Sequence, residues 1–160
     1  MISLLVAYTK NKRVIGAQGK IPWKLSSERN RFKKICAGKY VIMGRKSYDE
    51  IGKPLPYCKL VVVSSHPSTG SETATFSLNE ALDFCKKSGQ EEILIAGGGT
   101  IYKQMLPYAD KIYATEIDAD FDGDTFFPEL GPEWSGTVEE VHEENGIVYR
   151  YITLQKACQS

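Results

Sequence analysis

The stretch Glu92-Ile93-Leu94-Ile95-Ala96-Gly97-Gly98-Gly99-Thr100 carries a short apolar run directly into three glycines, after which a helical pattern begins near Thr100. A brief apolar run bounded by turn residues reads as a strand. Strand, turn and helix in succession are the repeating unit of an α/β protein. Working outward, further apolar strand-like runs occur at Ile2–Tyr8, Tyr40–Met43, Leu60–Val63, Ile112–Ile117 and Val148–Leu154, with a weaker candidate at Trp134–Val141. Helical patterns fall at about Ser27–Ala37, Lys46–Ile51, Leu78–Lys87 and Thr100–Leu106. Strands alternating with helices predict an α/β domain with a mostly parallel, twisted sheet and flanking helices. The helices stop after Ile117, so the last strands are expected to pair antiparallel along one edge. No repeat, low-complexity tract or linker interrupts residues 1–160, which read as a single domain.

This architecture predicts where a ligand sits, because open α/β sheets bind ligands beyond the carboxyl ends of their strands. Those ends carry Ala7-Tyr8, Gly44-Arg45-Lys46-Ser47, Ser64-Ser65-His66 and Gly97-Gly98-Gly99. Glycines at a strand-to-helix turn let backbone approach a phosphate or ring closely, although a tight turn is reason enough for them. The triplet is not the dinucleotide fingerprint G-x-G-x-x-G. Gly44-Arg45-Lys46-Ser47 offers two cations and a hydroxyl at a helix entrance, a phosphate cradle in composition. It lacks the upstream glycine of a P-loop, since position 39 is Lys39. Ser64-Ser65 could receive another phosphate or serve only to cap and turn.

In the helical run from Ser26, residues Glu28, Phe32 and Ile35 share one face by their spacing. A carboxylate there either complements the helix N-terminus or is held out of water to handle a proton. Between Lys20 and Lys34, six cations surround Glu28 as the lone acid. Such a field can draw in a small anionic ligand or simply solvate a helix face.

Over the whole chain, 20 basic residues balance 20 acidic ones, which gives no global pull toward nucleic acid or membrane. With 42% of its 160 residues hydrophobic, the chain can bury a substantial core. Four scattered cysteines and two histidines, His66 and His142, form no metal-ligand pattern. The apolar start from Met1 to Tyr8 is too short to span a bilayer and reads as a buried strand. A cytoplasmic protein with reduced thiols is expected. Asp118 to Asp124 has the spacing of a calcium loop, and Glu129 falls at the closing position. A strand precedes it, however, and Phe127-Pro128 stands where an exiting helix should begin, which argues against calcium.

Taken in order, these motifs resemble dihydrofolate reductase of bacterial type across nearly the whole chain. The resemblance is carried by Val14-Ile15-Gly16, Ile21-Pro22-Trp23-Lys24-Leu25, Glu28 with Phe32, and Val41-Ile42-Met43-Gly44-Arg45-Lys46-Ser47. It continues through Ile51-Gly52-Lys53-Pro54-Leu55-Pro56, Ser64-Ser65, Gly97-Gly98-Gly99-Thr100-Ile101-Tyr102, Thr115-Glu116-Ile117-Asp118 and Gly123-Asp124-Thr125-Phe126-Phe127-Pro128. In that family the loop at Asp118–Asp124 packs against a mobile loop over the active site.

What the resemblance implies is hydride transfer from NADPH to 7,8-dihydrofolate by a cytoplasmic monomer of folate metabolism. Glu28 would hold the pterin and promote protonation of N5, with Thr115 orienting the carboxylate and Trp23 holding a water. Leu5, Ala7, Phe32, Ile51 and Leu55 would form the apolar slot. Residues from about Lys10 to Leu25 would close over the nicotinamide, with Ala7 and Ile15 at its carboxamide and Tyr102 beside its ring. Arg45, Lys46, Ser47 and Ser64 would take the phosphates, and Gly98 and Gly99 the pyrophosphate. Gly44, Ser65, Gly97, Thr100 and Ile101 complete the cofactor set, with Gly97-Gly98 joined by a cis bond.

Four departures from the family pattern stand out. Cys58 replaces the arginine that grips the substrate's glutamate carboxylate, and a thiol cannot make that bidentate contact. Arg29 stands at a usually apolar position, Ala96 is smaller than usual, and Thr100 replaces a cation found in some relatives. Arg29 is therefore expected to take over the grip on the glutamate tail, and to weaken diaminopyrimidine antifolates such as trimethoprim. Two competing readings are a same-fold reductase of another heterocycle, such as the aminopyrimidine of riboflavin synthesis, and a non-catalytic nucleotide-binding module.

Overall fold

Burial on two opposite faces sets the architecture. In the computed structural model, β1 (Ile2–Thr9) alternates Leu4, Val6 and Tyr8 toward one apolar cluster with Leu5 and Ala7 toward the other side. The structure describes residues 1–16, 23, 25–51, 57–63, 73–75 and 77–157, with only the backbone of 28, 50, 51 and 73–75. β1 lies between β6 (Ile93–Ile95) and β7 (Lys111–Asp118), parallel to both. Outward from β6 come β3 (Tyr40–Gly44), β4 (Lys59–Val63) and β5 (Thr73–Thr75), all parallel. Outward from β7 come β10 (Ile147–Lys156) and β9 (Trp134–Glu144), both antiparallel to their neighbours. The eight-stranded order is β5-β4-β3-β6-β1-β7-β10-β9. The expected parallel sheet with an antiparallel edge is therefore present.

Two helical layers cover this sheet. α3 (Leu78–Lys87) and α4 (Gly99–Met105) bury Ala81, Cys85, Ile101, Tyr102 and Met105 against the face bearing Leu4, Val6, Ile42 and Ile95. α1 (Ser26–Cys36) and α2 (Arg45–Ile51) bring Phe32, Cys36 and Tyr48 to the face bearing Leu5, Val41, Met43 and Leu94. Burial of the thiols raises the pKa of Cys58 and Cys85 to about 11 and that of Cys36 further, so they are inert packing groups. Among the described residues no helix is long and apolar enough to cross a membrane.

The helices begin in different ways. The Ser77 side chain caps α3 by accepting from the Glu80 N–H at 3.1 Å. At α1, Leu25 provides no such cap, and Glu144 at the end of β9 replaces it. Its carboxylate accepts from the Ser26 N–H at 3.0 Å and from the Ser26 hydroxyl at 2.6 Å. The β9–β10 turn that sets Glu144 there is Asn145-Gly146, with φ of 55° and 79°. Two successive positive φ values are what a tight hairpin turn demands, and this dipeptide adopts them most readily. The exposed edge strand β9 carries Glu139, Glu140 and Glu143 as well as Glu144, charges that discourage another chain from pairing there.

Three short strands lie outside the sequence expectation: β5, β2 (Val14–Gly16) and β8 (Thr125–Phe126). β2 and β8 pair antiparallel as a separate ribbon, and Asp124 donates its N–H to the Gly16 carbonyl at 3.0 Å. Elements of two or three residues have no period to read.

Near the start of β6, Glu92 gathers three strands. It accepts from Ser3 Oγ at 2.7 Å and Tyr113 Oη at 2.8 Å, and pairs with Lys39 Nζ at 3.4 Å. Burial pushes this carboxyl up, yet the hydrogen bonds together hold it below its ordinary 4.5. The resulting stability is complete above that ordinary value and is lost as pH falls through it toward the folded-state value. Glu92→Leu should strand the Ser3 and Tyr113 hydroxyls and lower stability by about 1–3 kcal/mol. It should also flatten the acid limb below pH 4.5. Urea midpoints measured across pH test this; an unchanged midpoint would show that water satisfies the hydroxyls instead.

Candidate active site

The chain leaves β3 toward β4 on one side and leaves β6, through α4, toward β7 on the other. Neighbouring parallel strands whose connections depart in opposite directions open a crevice at their carboxyl ends. The two turns at this crevice are Gly44 to Ser47 and Gly97 to Thr100. They are tied by the Gly44 N–H donating to the Gly97 carbonyl at 2.8 Å. The Gly97-Gly98 peptide is cis.

A cleft of about 350 Å³ lies at this point, lined by Gly44, Arg45, Lys46 and Ser47 from one turn and Gly98, Gly99, Thr100 and Ile101 from the other. Ile15 and Gly16 of β2, with Thr125 of β8, close its third side. A cleft with apolar Ile15 and Ile101 at one part and cations and hydroxyls at another suits a ligand with a flat ring and phosphates. The glycines keep the floor bare. A Cβ on Gly98 would stand 3.0 Å from Ser47 Oγ, and one on Gly44 would stand 3.3 Å from Ile101. Arg45 Nε pairs with Asp49 at 2.9 Å, both being partly exposed. Such a surface pair contributes little and can yield to a phosphate.

Beside the cleft, Tyr102 is buried and its hydroxyl donates to the Leu5 carbonyl at 2.6 Å. That bond links α4, on one face of the sheet, to the backbone of β1. On the other face lies a second group. Ala7 of β1 and Tyr151 of β10 flank Thr115 of β7 in register, and Thr115 is 1% exposed. Phe32 on α1 lies edge-on to Tyr57 at 6.3 Å, and buried Trp23 lies 5.7 Å from Phe121. Arg31 reaches from α1 to donate to the Ala114 carbonyl at 2.7 Å and to Thr115 Oγ1 at 3.3 Å. It thereby turns the helix face that carries position 28 toward β7.

Of the residues expected from sequence, Ile15, Gly44, Arg45, Lys46, Ser47, Gly98, Gly99, Thr100 and Ile101 line the cleft together. Gly97 lies against Tyr102, whose hydroxyl bonds Leu5, while Ala7 and Thr115 pair in register on β1 and β7 in the second group. Glu28 lies within α1 and Ile51 closes α2, each described by backbone alone. Ile21, Pro22, Lys24, Gly52 to Pro56 (with Leu55), Ser64, Ser65, His66 and Cys158 lie outside the described residues. Arg29 is exposed on α1, and its charge acts on Glu144. Gly16 and Thr125 were not anticipated as lining residues. Their only sequence signal is membership of motifs whose short strands could not be read.

Two glycine turns at a switch point, with Arg45 and Lys46 alongside Ile15 and Ile101, place the chain among α/β proteins that open a ligand cleft across their strand ends. Comparison with known proteins narrows the class. The family model described as Dihydrofolate reductase matches residues 1–156. The chain is 39% identical to a dihydrofolate reductase of Bacillus subtilis (strain 168), covering 100% of this chain and 97% of that one. It is also 39% identical to dihydrofolate reductase type 3 of Salmonella typhimurium, over 98% of each chain. A dihydrofolate reductase of Haemophilus influenzae is 38% identical, over 96% of this chain and 98% of its own. The chain belongs to the dihydrofolate reductase family. It is an oxidoreductase that reduces dihydrofolate to tetrahydrofolate with a nicotinamide cofactor, and Arg45, Lys46, Ser47 and Thr100 of the cleft are donors of the kind that cofactor's phosphates need.

The bare floor generates a test. Gly98→Val should crowd Ser47 in the cleft, where overpacking costs about 1–3 kcal/mol. Titration by nucleotide fluorescence should show binding of reduced nicotinamide dinucleotide weakened by about tenfold or more. Wild-type affinity in a folded variant would place the nucleotide elsewhere.

Proposed function

We propose that this chain is an NADPH-dependent reductase of 7,8-dihydrofolate in which Glu28 promotes protonation of N5. The observation that carries the reading is the buried Thr115 hydroxyl, bonded from α1 by Arg31 at 3.3 Å. It supports the reading because Arg31 ties α1, the helix that carries position 28, onto β7. There a carboxylate can hold the pterin's N3 and 2-amino group. Hydride addition to a C=N bond is eased when the nitrogen takes a proton, and a partly desolvated acid can assist. Reduced nicotinamide, when bound, supplies the hydride.

The remaining roles complete this reading as the family resemblance implies them. Leu5, Ala7, Phe32, Ile51 and Leu55 form the apolar wall of the pterin slot. Trp23 holds a water near the carboxylate, and Tyr102 lies beside the nicotinamide. Lys46, Ser47, Ser64 and Ser65 hold the phosphates, and Arg45 exchanges Asp49 for the 2′-phosphate that separates NADPH from NADH. The enzyme acts as a cytoplasmic monomer in one-carbon metabolism. Its Arg29 charge lowers sensitivity to antifolates such as trimethoprim.

Glu28→Gln keeps the shape of the side chain and removes the proton-handling group. Turnover at neutral pH, followed at 340 nm, should fall by ~10²–10⁴-fold. Full activity in that variant would refute the assignment.

Arg45→Ala should weaken NADPH by about 10–100-fold, the equivalent of one charge-assisted hydrogen bond of ~1.5–3 kcal/mol, and should leave NADH nearly unchanged. Calorimetric titration with both nucleotides distinguishes this from a pyrophosphate contact, which would weaken the two equally.

A further inference from the structure

Arg31 has a role that packing does not explain. Its guanidinium carbon lies 4.4 Å from the centroid of the Tyr151 ring, while its Nη1 bonds the Ala114 carbonyl and Thr115 Oγ1. A side chain needed only to cover Tyr151 and β7 could be apolar, without the cost of withdrawing a cation from water. The bond to Thr115 has a directional consequence. A hydroxyl has one proton and two lone pairs. When Thr115 accepts from Arg31, its proton is committed to an acceptor elsewhere. Position 28 precedes Arg31 by three residues, so the two positions share a face of α1.

We propose that Arg31 is a positioning residue for the reduction, fixing the Thr115 hydroxyl as a donor toward the Glu28 carboxylate and holding a positive charge beside that pair. The inference rests on the reading of Glu28 given above. An opposite charge nearby favours the ionised carboxylate, so Arg31 offsets the effect of burial. The enzyme then gives up its proton-assisting form at a lower pH than it would with a neutral residue at 31.

Other groups face this corner. Tyr113 on β7 has its ionisation pushed far up, first by burial and then by its bond to Glu92, while the charge of Arg31 opposes that rise. Glu139 on β9 acts on Tyr113 as well. Tyr151 on β10 shares a 2.5 Å hydroxyl contact with Ser27 of α1, and its ring centroid lies 4.8 Å from that of His142 on β9. The imidazole and Arg31 both meet the Tyr151 ring, so His142 is the residue to test as an alternative source of charge.

Two substitutions separate charge from geometry. Arg31→Gln keeps an N–H donor and removes the charge, whereas Arg31→Lys keeps the charge and loses the planar fork. The readout is the Glu28 carboxyl carbon in glutamate-labelled protein without ligands, assigned with Glu28→Gln and titrated by NMR. The pH profile of single-turnover hydride transfer is measured alongside. Arg31→Gln should move both midpoints upward by about one to three pH units, with Arg31→Lys between it and the wild type. An unmoved carboxyl titration in Arg31→Gln overturns the inference. So does an equal upward shift in His142→Gln, which would assign the charge to the imidazole.

Should Arg31→Gln fail to fold, Thr115→Val supplies the second reading. It should also raise the midpoint, and by less than additively when combined with Arg31→Lys, because both act through one hydroxyl. No shift in Thr115→Val overturns the inference. Wild-type turnover in Glu28→Gln overturns the underlying reading, and this inference with it. An inactive Glu28→Gln together with an unmoved titration in Arg31→Gln overturns this inference alone.

Discussion

The hydrogen bond from the Gly44 N–H to the Gly97 carbonyl, 2.8 Å long, is the constraint around which the site is arranged. It joins the ends of β3 and β6 just where the chain turns away from each in opposite directions. Side chains on both turns would hold them apart. A Cβ on Gly97 would come within 3.2 Å of the Tyr102 ring, and one on Gly98 would meet Ser47. Gly97 also has φ of 107°, which L side chains rarely adopt. Bare backbone therefore makes both the tie and the cleft floor. The cations and hydroxyls of α2 and α4 acquire their common direction from it.

The two halves of the site are built by different means. The cleft half depends on strand ends and glycine turns, and its framework is largely main chain. The half around Thr115 is held by side chains that cross long stretches of sequence. Arg31 bonds β7, Tyr151 of β10 meets Ser27, and Glu144 of β9 caps the start of α1. Hydrogen bonds from Ser26 hold the Glu144 carboxyl below its usual range, so this cap persists until the pH falls into the acid region. The antiparallel hairpin at the edge thus orients the helix that carries Glu28 without lining the cleft between the glycine turns.

This division explains what the sequence made legible. Runs such as Tyr40–Met43 and Ile112–Ile117 announce buried strands by length and composition, and the structure extends them by only one or two residues. The helical patterns at Leu78–Lys87 and near Thr100 hold equally well, since each buries one stripe of apolar residues. β2, β5 and β8 escaped because two or three residues cannot show alternation, and their pairing is decided by distant chain. Thr125 and Gly16 were missed with them, since a residue's place in a cleft cannot be read when its strand is invisible. The glycine turns were readable because they follow strands at whose carboxyl ends an open α/β sheet forms its crevice.

Arg31 shows a different limit. In sequence it is one of six cations between Lys20 and Lys34, with nothing to distinguish it from a solvated helix face. Only the partner strands separate it from Arg29, two positions earlier. Arg29 is exposed and its charge falls on Glu144, whereas Arg31 is directed inward onto Ala114, Thr115 and Tyr151. A step of two residues turns the direction round the helix by roughly 200°, so neighbouring cations necessarily serve opposite faces. Local charge counts therefore average over groups with unrelated roles. Which cation meets Thr115 is decided by how α1 packs, and the start of that helix is held by a hairpin more than 100 residues away.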